Sequence, residues 1–514
     1  MLDDRTLPLA FALTFPSNLS MNTPNLTAQA LFKQAYALHQ QGKIQQAKPL
    51  YEQIIGLAPE MTDAYLLLGV IAQQMRNSPL AISYFETVIQ QRPNLAVTYC
   101  HLGVAQKSLQ LFDQALKSYG QAIALDPRLP DAFYNRGILN AEMRSYDAAL
   151  LDYDAAIALR PQYPEAWCNR GIALRQLLRL PEALTSYSQA LTWKSNLADA
   201  QYNRGLCWLQ LGDFAQGWPA YEWRWQCQGI SSSKNRRDFA APLWLGEQDL
   251  ANKTIYVYSE QGLGDTLQFC RYLGILKAMG ASVIFEVQAP LLSLLHDLDG
   301  VDQCIVRPAS YPHMDYQVPL MSLPLACKTN HVADIPAPPV YLHANPIKTA
   351  HWQQRLDKFA GLKIGLVWSG SASHKNDQQR SLNLANLFPY LPQEAGAYQY
   401  ISLQKEYRTH DAEFMRSHPE FMDFSTELQD FSDTAALCQA LDLLISVDTS
   451  VAHLAGGLGK PVLLLLPWIA DWRWLLDRTD SPWYPSFHLL RQSRANDWHG
   501  VLAQLSIEIK RLLA

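Results

Sequence analysis

One segment of the sequence places an acidic side chain directly after a predicted buried strand. The strand Thr254–Ser259 runs into Glu260–Thr266, EQGLGDT, where Gly262 and Gly264 permit a tight turn. Because α/β sheets bind ligands at the carboxyl ends of their strands, Asp265 could face a cleft and act as a general base. Asp265 could equally cap the helix that begins here. The segment has no G-x-G-x-x-G pattern, which disfavours a dinucleotide site.

A second segment offers hydroxyl groups and cations after another predicted strand. Lys363–Trp368 is followed by SGSASHKNDQQRS over 369–381. Lys375 and Arg380 are suited to hold a diphosphate, because both are cations on long side chains. A solvent-exposed basic loop is the alternative. The same turn also offers the Ser369 hydroxyl and the backbone N–H group of Gly370.

The third segment follows the predicted strand Leu443–Val447 and reads DTSVAHLAGGLGKP over 448–461. Thr449 and Ser450 begin a predicted helix whose free N–H groups suit a phosphate. His453 lies about one turn further on and faces the same way. The segment therefore predicts an anion-binding turn at the end of a third strand.

These segments lie where strands and helices alternate, a pattern typical of parallel sheets. Apolar or β-branched runs predict further strands at Ser282–Val287, Tyr398–Leu403 and Val462–Leu466. Helices are predicted at Thr266–Met279, Pro290–Leu298, Thr434–Ala440, Val451–Gly457 and Asp497–Leu513. The proline-rich stretch Pro336–Pro346 divides the set, so we predict two Rossmann-like halves at 245–345 and 346–514.

Upstream, four residue types recur every 34 residues. Alanines stand at 47, 81, 115, 149 and 183, and four residues later come Tyr51, Phe85, Tyr119, Tyr153 and Tyr187. Glycines recur at 69, 103, 137, 171 and 205, and prolines at 59, 93, 127 and 161. Small residues let antiparallel helices approach, the aromatic fills the space between repeats, and proline ends the second helix. The pattern resembles the tetratricopeptide repeat family, with about five and a half repeats over 28–227 before a linker at 228–244.

Repeat solenoids of this kind usually present a groove to a peptide or protein. Asn135, Asn169 and Asn203 share one repeat position, two residues before the glycine. A ladder of asparagines there can donate to and accept from an extended peptide backbone. It is similar to the asparagine ladder of the repeat-bearing protein O-GlcNAc transferases. Alternatively, these side chains bond within their own repeats or face solvent.

Composition argues against several other classes of protein. A net charge of -5, a pI near 6.2 and the lack of a basic block disfavour a nucleic-acid partner. The cysteines form no C-x-x-C pair, and the D-x-D strings at 152–154 and 297–299 fall in or at the end of helices, so we predict no metal. Asp3 and Asp4 give the wrong charge for a signal peptide, and no apolar run is long enough for a transmembrane segment. We therefore expect a cytoplasmic protein with a flexible extension at 1–27.

Taken in order, the three segments resemble the heptosyltransferase-like glycosyltransferases of the family 9 type. The resemblance is closest to the bacterial branch in which such a module follows tetratricopeptide repeats. The strings SEQGLGDTLQFCRYL, LISVDTSVAHLAGGLGKPV and DWRWLLDRTDSPWYPSFHLLRQ carry the match, over about 245–495. The resemblance implies a GT-B fold, a nucleotide-sugar donor bound in the second half, and inversion at the anomeric carbon.

The resemblance also implies roles for individual residues. Asp265 matches an aspartate assigned as general base for the acceptor hydroxyl, and Lys375 a basic residue that neutralises the donor diphosphate. Trp472 and Arg473 could line the cleft, or they could serve packing and a surface ion pair. The predicted donor-binding residues are Gly264, Ser369, Gly370, Lys375, Arg380, Gln404, Lys405, Asp448, Thr449, Ser450 and His453.

From these observations we expect an inverting, metal-independent glycosyltransferase that needs no cofactor besides its donor. Arg380, Lys375 and the helix beginning near Thr449 would supply the positive charge that a metal supplies elsewhere. The half at 245–345 is shorter than in stand-alone heptosyltransferases, so the repeats are expected to recruit a protein or peptide acceptor. Two alternatives are a repeat-bearing interaction protein without catalysis and a transferase acting on a glycan or lipid.

Overall fold

The computed structural model describes residues 23–230, 235–372, 377–394 and 396–513. Most of the predicted extension at 1–27, residues 231–234 of the predicted linker, and Lys375 lie outside the described residues. The chain divides into two compact units, Met1–Ala200 and Gln201–Ala514. None of the helices within the described ranges is long and apolar enough to cross a membrane.

The first unit consists of consecutive helices that pack as antiparallel pairs, as the 34-residue period predicts. They are α1 (Thr23–Gln40), α2 (Ile44–Leu57), α3 (Thr62–Gln74), α4 (Ser78–Gln91), α5 (Ala96–Ser108), α6 (Phe112–Leu125), α7 (Pro130–Glu142), α8 (Tyr146–Leu159), α9 (Pro164–Gln176) and α10 (Leu180–Trp193). Two more follow, α11 (Ala198–Leu211), which crosses into the second unit, and α12 (Phe214–Tyr221). Because α1 begins at Thr23, the first repeat helix starts inside the predicted extension.

The recurring glycine and aromatic residues meet in the four helical pairs from α3–α4 to α9–α10. A Cβ atom on Gly137 would lie 2.7 Å from Tyr153 Cε1, and one on Gly103 would lie 2.6 Å from Tyr119 Cε1. Both rings are fully buried, so they have no space into which to move. This close approach is the physical reason why glycine recurs at one position of the repeat.

The second unit contains two parallel sheets among its described residues. The first sheet has the strands β1 (Thr254–Tyr258), β2 (Ser282–Val287), β3 (Gln303–Val306) and β4 (Tyr316–Pro319), in the order β3-β2-β1-β4. Val257 of β1 pairs with Phe285 on one side and with Val318 on the other. The α-helices of this half are α13 (Leu263–Phe269), α14 (Leu273–Ala278), α15 (Leu292–Leu295) and α16 (Leu323–Ala326).

The second sheet has the order β10-β9-β8-β5-β6-β7. Its strands are β5 (Leu362–Val367), β6 (Tyr398–Ser402), β7 (Phe421–Asp423), β8 (Leu443–Val447), β9 (Val462–Leu466) and β10 (Phe487–Arg491). The accompanying helices are α17 (Pro346–Leu356), α18 (Asp377–Arg380), α19 (Leu384–Leu387), α20 (Thr409–Ser417), α21 (Phe431–Gln439), α22 (Ser450–Gly457) and α23 (Trp498–Leu513). All five residues of β8 and of β9 are buried, which explains why their sequences are apolar apart from Ser446.

Several predicted elements differ from the observed ones. The helix predicted at Thr266–Met279 is two helices, α13 and α14, joined by a 3-10 turn at Cys270–Tyr272. The helix predicted at Pro290–Leu298 shrinks to α15 after a 3-10 turn at Ala289–Leu291. The sequence pattern missed β3, β4, β7 and β10, because these strands have only three to five residues and are mixed in burial. A helical solenoid followed by parallel sheets with helices is confirmed, whereas the GT-B arrangement stays a prediction.

Candidate active site

Each sheet of the second unit has one point where the strand order reverses direction. In the first sheet the chain runs outward from β1 to β2 and β3 and then returns to the other side of β1 as β4. In the second sheet it runs outward from β5 to β6 and β7 and returns beside β5 as β8. Open α/β sheets bind ligands outside the carboxyl ends of the strands at such a point. All three sequence segments follow a strand that flanks one of these two points.

Asp265 lies in the first turn of α13, immediately beyond β1, and its side chain is 21% exposed. Its Oδ2 accepts a hydrogen bond from Gly262 N at 2.8 Å, so it caps the helix as one of the two interpretations predicted. Its Oδ1 accepts a hydrogen bond from Arg473 Nη2. Capping does not exclude a role in chemistry, since the carboxylate is still partly exposed.

Arg473 is buried rather than at the surface, since only 7% of the residue is exposed. Its three side-chain nitrogens all donate hydrogen bonds to neighbouring side chains. Besides Asp265, it donates from Nε to Gln268 Oε1 at 2.7 Å and from Nη1 to Asp471 Oδ1 at 2.8 Å. Burial alone would lower the pKa of Arg473, but the carboxylates of Asp471 and Asp265 outweigh burial and raise it above its ordinary value. A permanently charged guanidinium therefore stands beside Asp265.

The loops that follow β1 and β8 touch through Gly264. A Cβ atom at this position would lie 2.8 Å from His453 Cδ2 and 3.5 Å from Ser450 Cα. Glycine is therefore what allows α13 to approach the first turn of α22. Gly264 and His453 stand 189 residues apart along the chain, and the structure brings them into van der Waals contact.

His453 belongs to a buried polar group that surrounds Asp448. Its Nδ1 lies 2.9 Å from the Tyr484 hydroxyl, and its Nε2 lies 3.7 Å from Asp448 Oδ1. Trp474 donates from Nε1 to Asp448 Oδ2 at 2.9 Å and stacks on the imidazole. Burial alone would raise the pKa of Asp448, but His453, Trp474 and Arg380 together lower it. Asp448 is thus a fixed anion that orients its neighbours.

The loop after β5 meets the loop after β8 through Arg380. Its Nη1 donates to the carbonyl oxygen of Asp448 at 2.9 Å, and a Cβ atom on Gly370 would lie 2.8 Å from its Cζ. Asp377 is buried, accepts from Ser381 Oγ at 2.7 Å and pairs with Arg408. Arg380 therefore lies across the switch point between β5 and β8, next to the two loops that the sequence predicted.

Other predicted donor-binding side chains are engaged by the protein itself. Gln404 is buried, and its Oε1 accepts from Ser369 N at 3.2 Å. Lys405 donates from Nζ to the carbonyl oxygens of Ser425, at 2.9 Å, and Leu428, at 2.5 Å. These contacts fix neighbouring loops, and a role in donor binding stays a prediction. Thr449 and Ser450 are half-buried at the start of α22.

Sequence reasoning missed a buried charged group behind the Asp265 loop. Arg224 is fully buried and donates from Nη2 to Glu260 Oε1 at 3.2 Å. Burial raises the pKa of Glu260 to about 7, although the positive charge of Arg224 opposes this. The only local signal was a pair of charged residues within the aromatic string YEWRW at 221–225. The pattern gave no indication of their partners.

The asparagines predicted to line a peptide groove bridge adjacent repeats where their contacts are described. Asn135 donates from Nδ2 to Cys100 Sγ at 3.6 Å, and Asn169 donates to the Tyr134 hydroxyl at 3.1 Å. Each partner stands 35 residues earlier, in the preceding repeat. Asn203 lies in α11, in the second unit. These bonds to the preceding repeat differ from the alternative of bonds within a single repeat, and contact with a peptide stays a prediction.

Within the described residues, no cluster of three or more His, Cys, Asp or Glu side chains could hold a metal ion. Six of the eight cysteines are buried. Burial raises the pKa of Cys270 and of Cys438 to about 12, so both thiols are unreactive at neutral pH.

Comparison with known families identifies the helical part of the chain. The family described as TPR repeat matches residues 108–143 and 145–177, and that described as tetratricopeptide repeat matches 32–96 and 168–222. The predicted repeats are therefore confirmed. Tetratricopeptide repeats indicate an interaction with other proteins.

Among curated proteins, the chain is similar to protein FlbA of Caulobacter vibrioides. The two are 25% identical over 332 residues, a match that covers 60% of this chain and 54% of FlbA. The chain thus spans about half the length of this relative.

Two solved structures show partial similarity. One is pilF of Pseudomonas aeruginosa, 16% identical with a TM-score of 0.36, covering 40% of this chain and 92% of that one. The other is a thermophilic TPR protein of Thermus thermophilus, 22% identical with a TM-score of 0.32, covering 35% of this chain and 99% of that one.

Proposed function

We propose that the second unit is an inverting glycosyltransferase, which moves a sugar from a nucleotide-sugar donor to a protein or peptide acceptor recruited by the repeats. The observation that carries this proposal is that Asp265 accepts a hydrogen bond from Arg473, while its neighbour Gly264 contacts His453 in the first turn of α22. An acidic side chain after a strand of one sheet thus bonds a cation from the other half, beside the start of a helix. Such an arrangement suits a reaction in which a proton leaves the acceptor while negative charge develops on a leaving group.

In the proposed reaction, the acceptor oxygen attacks the anomeric carbon as the bond from that carbon to the diphosphate oxygen breaks. The electron pair of the broken bond leaves with the nucleoside diphosphate, and the acceptor proton passes to Asp265. Arg380 and the free N–H groups at the start of α22 would stabilise the departing negative charge. The residues at hand thus supply base and cation without a metal ion.

One observation favours a different function, an interaction protein without catalysis. Both carboxylate oxygens of Asp265 already accept hydrogen bonds, one from Gly262 N and one from Arg473. Each oxygen keeps a second lone pair for a proton, but the two bonds fix the carboxylate in place, as a purely structural ion pair requires. In a purely binding protein, the same ion pair would serve only to hold the two halves of the second unit together.

The two functions are separated by nucleotide-sugar hydrolysis. The full-length protein is incubated with UDP-, GDP- and ADP-sugars, and release of the nucleoside diphosphate is measured for wild type, Asp265→Asn and Asp299→Asn. Loss of a general base should lower turnover by about 10²- to 10⁴-fold in Asp265→Asn. Asp299→Asn is the matched control, because this side chain in the same half is 93% exposed.

Turnover should be unchanged by EDTA, and loss of turnover restored by Mn²⁺ would contradict the metal-independent mechanism. If no donor is hydrolysed while a nucleotide still raises the melting temperature, the binding function is favoured instead. Equal turnover in wild type and Asp265→Asn would remove Asp265 from the mechanism.

A further inference from the structure

The last helical segment that the structure describes before the sheets, Phe214–Trp225, lies against the loop that carries Asp265. It consists of α12 and the 3-10 helix Glu222–Trp225. The Tyr221 hydroxyl accepts a hydrogen bond from Gln261 Nε2 at 2.7 Å. Arg224 donates to Glu260 Oε1 at 3.2 Å. Glu260 and Gln261 are the first two residues of this loop, so both are held by side chains of the helical segment.

Arg224 joins the two loops that flank the switch point of the first sheet. Its Nη2 also donates to Ser322 Oγ at 2.8 Å, and Ser322 follows β4 just as Glu260 follows β1. Its Nη1 donates to Glu222 Oε1 at 2.5 Å, and the same oxygen accepts from Ser322 Oγ at 2.8 Å. A guanidinium buried among these partners cannot shift without leaving charges unpaired.

A second route connects the same segment to Asp265 through aromatic packing. Trp218 meets Trp472 edge to face, with ring centroids 5.2 Å apart, and Tyr221 lies 6.3 Å from the same ring. Trp472 directly precedes Arg473, whose guanidinium lies over the Trp472 ring and binds Asp265. The segment therefore supports both the backbone of the Asp265 loop and the cation that pairs with Asp265.

We propose that Phe214–Trp225, the last part of the repeat pattern, is the positioning element of the candidate active site and sets the Asp265 loop through Tyr221 and Arg224. The catalytic part of this proposal depends on the proposed function, whereas the positioning part does not. A helical segment that continues the repeat pattern thus packs against the loops at the end of the first sheet. The positioning residues would act by holding the Asp265 carboxylate where an acceptor hydroxyl can reach it.

Two substitutions in the full-length protein test this inference. Tyr221→Phe removes only the hydroxyl that accepts from Gln261, and it keeps the ring packing. Arg224→Lys keeps the charge but loses the planar fork that reaches Glu260, Ser322 and Glu222 together. The matched control is Tyr153→Phe, because Tyr153 stands at the same repeat position as Tyr221. Among the described residues, the Tyr153 hydroxyl is buried and has no hydrogen-bond partner.

Hydrogen exchange measured by mass spectrometry reports directly how often the Asp265 loop opens. The amides of Gly262 and Thr266 are bonded to Asp265 Oδ2 and to Gly262 O, so they report whether the loop is closed. Loss of one hydrogen bond predicts about fivefold faster exchange over 260–267 in Tyr221→Phe. Arg224→Lys should give a larger increase, and Tyr153→Phe none. Unchanged exchange over 260–267 in both Tyr221→Phe and Arg224→Lys would overturn the inference.

Hydrolysis of the nucleotide-sugar panel supplies the second readout. In an active enzyme, Tyr221→Phe should lower kcat about fivefold and leave the KM for the donor unchanged, because only the base is displaced. Faster loop exchange with an unchanged kcat would refute the catalytic part of the proposal. If wild type hydrolyses no donor, the proposed function fails, and the exchange measurement still decides whether the segment positions the loop.

Discussion

Gly264 offers a sharp test of the contact between α13 and α22. The Gly264→Ala substitution would put a methyl carbon 2.8 Å from His453 Cδ2, about 0.7 Å inside the ordinary contact distance for carbon atoms. His453 cannot turn away easily, because it stacks on Trp474 with a centroid distance of 5.5 Å and lies 2.9 Å from the Tyr484 hydroxyl. The strain must therefore separate the two helices.

Overpacking of this kind costs about 1–3 kcal/mol. For a unit of this size, that cost lowers the melting temperature by about 2 °C for each kcal/mol, which scanning calorimetry of the second unit resolves. Asp265 is the next residue, so donor hydrolysis by Gly264→Ala should fall as well. Serine should be tolerated no better than alanine, because its Cβ occupies the same place.

The matched control is Gly274→Ala, in α14 of the same half. A Cβ atom at Gly274 meets nothing within 4 Å. Alanine is the better helix former by about 1 kcal/mol, so this variant should be as stable as wild type or slightly more stable. If Gly264→Ala melts at the same temperature as Gly274→Ala, α13 and α22 do not lie in close contact at Gly264, and this contact does not help to build the site.

Two further predictions concern the repeats and the buried carboxyl group. The Cβ atom of a Gly137→Ala variant would lie 2.7 Å from the buried Tyr153 ring, so this substitution should destabilise the first unit by about 1–3 kcal/mol. In the control Gly120→Ala, the new Cβ atom meets nothing within 4 Å, and stability should not fall. Equal urea midpoints for the two variants would contradict this prediction. In the folded protein the pKa of Glu260 is about 7, which is above the ordinary value of 4.5. The contribution of Glu260 to stability is therefore full below pH 4.5 and is lost as the pH rises through 7. Glu260→Gln should therefore gain stability relative to wild type between pH 5 and 8, by up to about 3 kcal/mol, and a pH-independent difference in melting temperature would refute it.

The repeats were predictable because their signal is local and is repeated. Tyr153 and Gly137 stand 16 residues apart, and the same pair recurs in neighbouring repeats at the same spacing. Each copy is independent evidence for one helical pair, so the register could be read without knowing any tertiary contact. The helix ends were less predictable, as the early start of α1 at Thr23 shows.

The strands were predictable where burial dictates composition. β8 and β9 are buried over their full length and read as apolar runs interrupted only by Ser446, whereas β3 and β7 are short and partly exposed and gave no such signal. The loops that follow β1, β5 and β8 carried glycine and hydroxyl residues that the sequence marked as a site. Their convergence at the switch points follows from strand order, which only the folded sheets define.

Local sequence patterns were enough to predict the repeat register, the class of the second part and the segments that could hold a site. Tertiary structure decided the partners of the buried charges. Asp265 meets Arg473 across 208 residues of chain, and Arg224 meets Ser322 across 98. Local sequence patterns show which residues of a helix or strand face the interior, because burial is periodic along both elements. A buried charge is instead stabilised by whichever opposite charge or polar group packing brings within hydrogen-bond distance, and that depends on the whole fold.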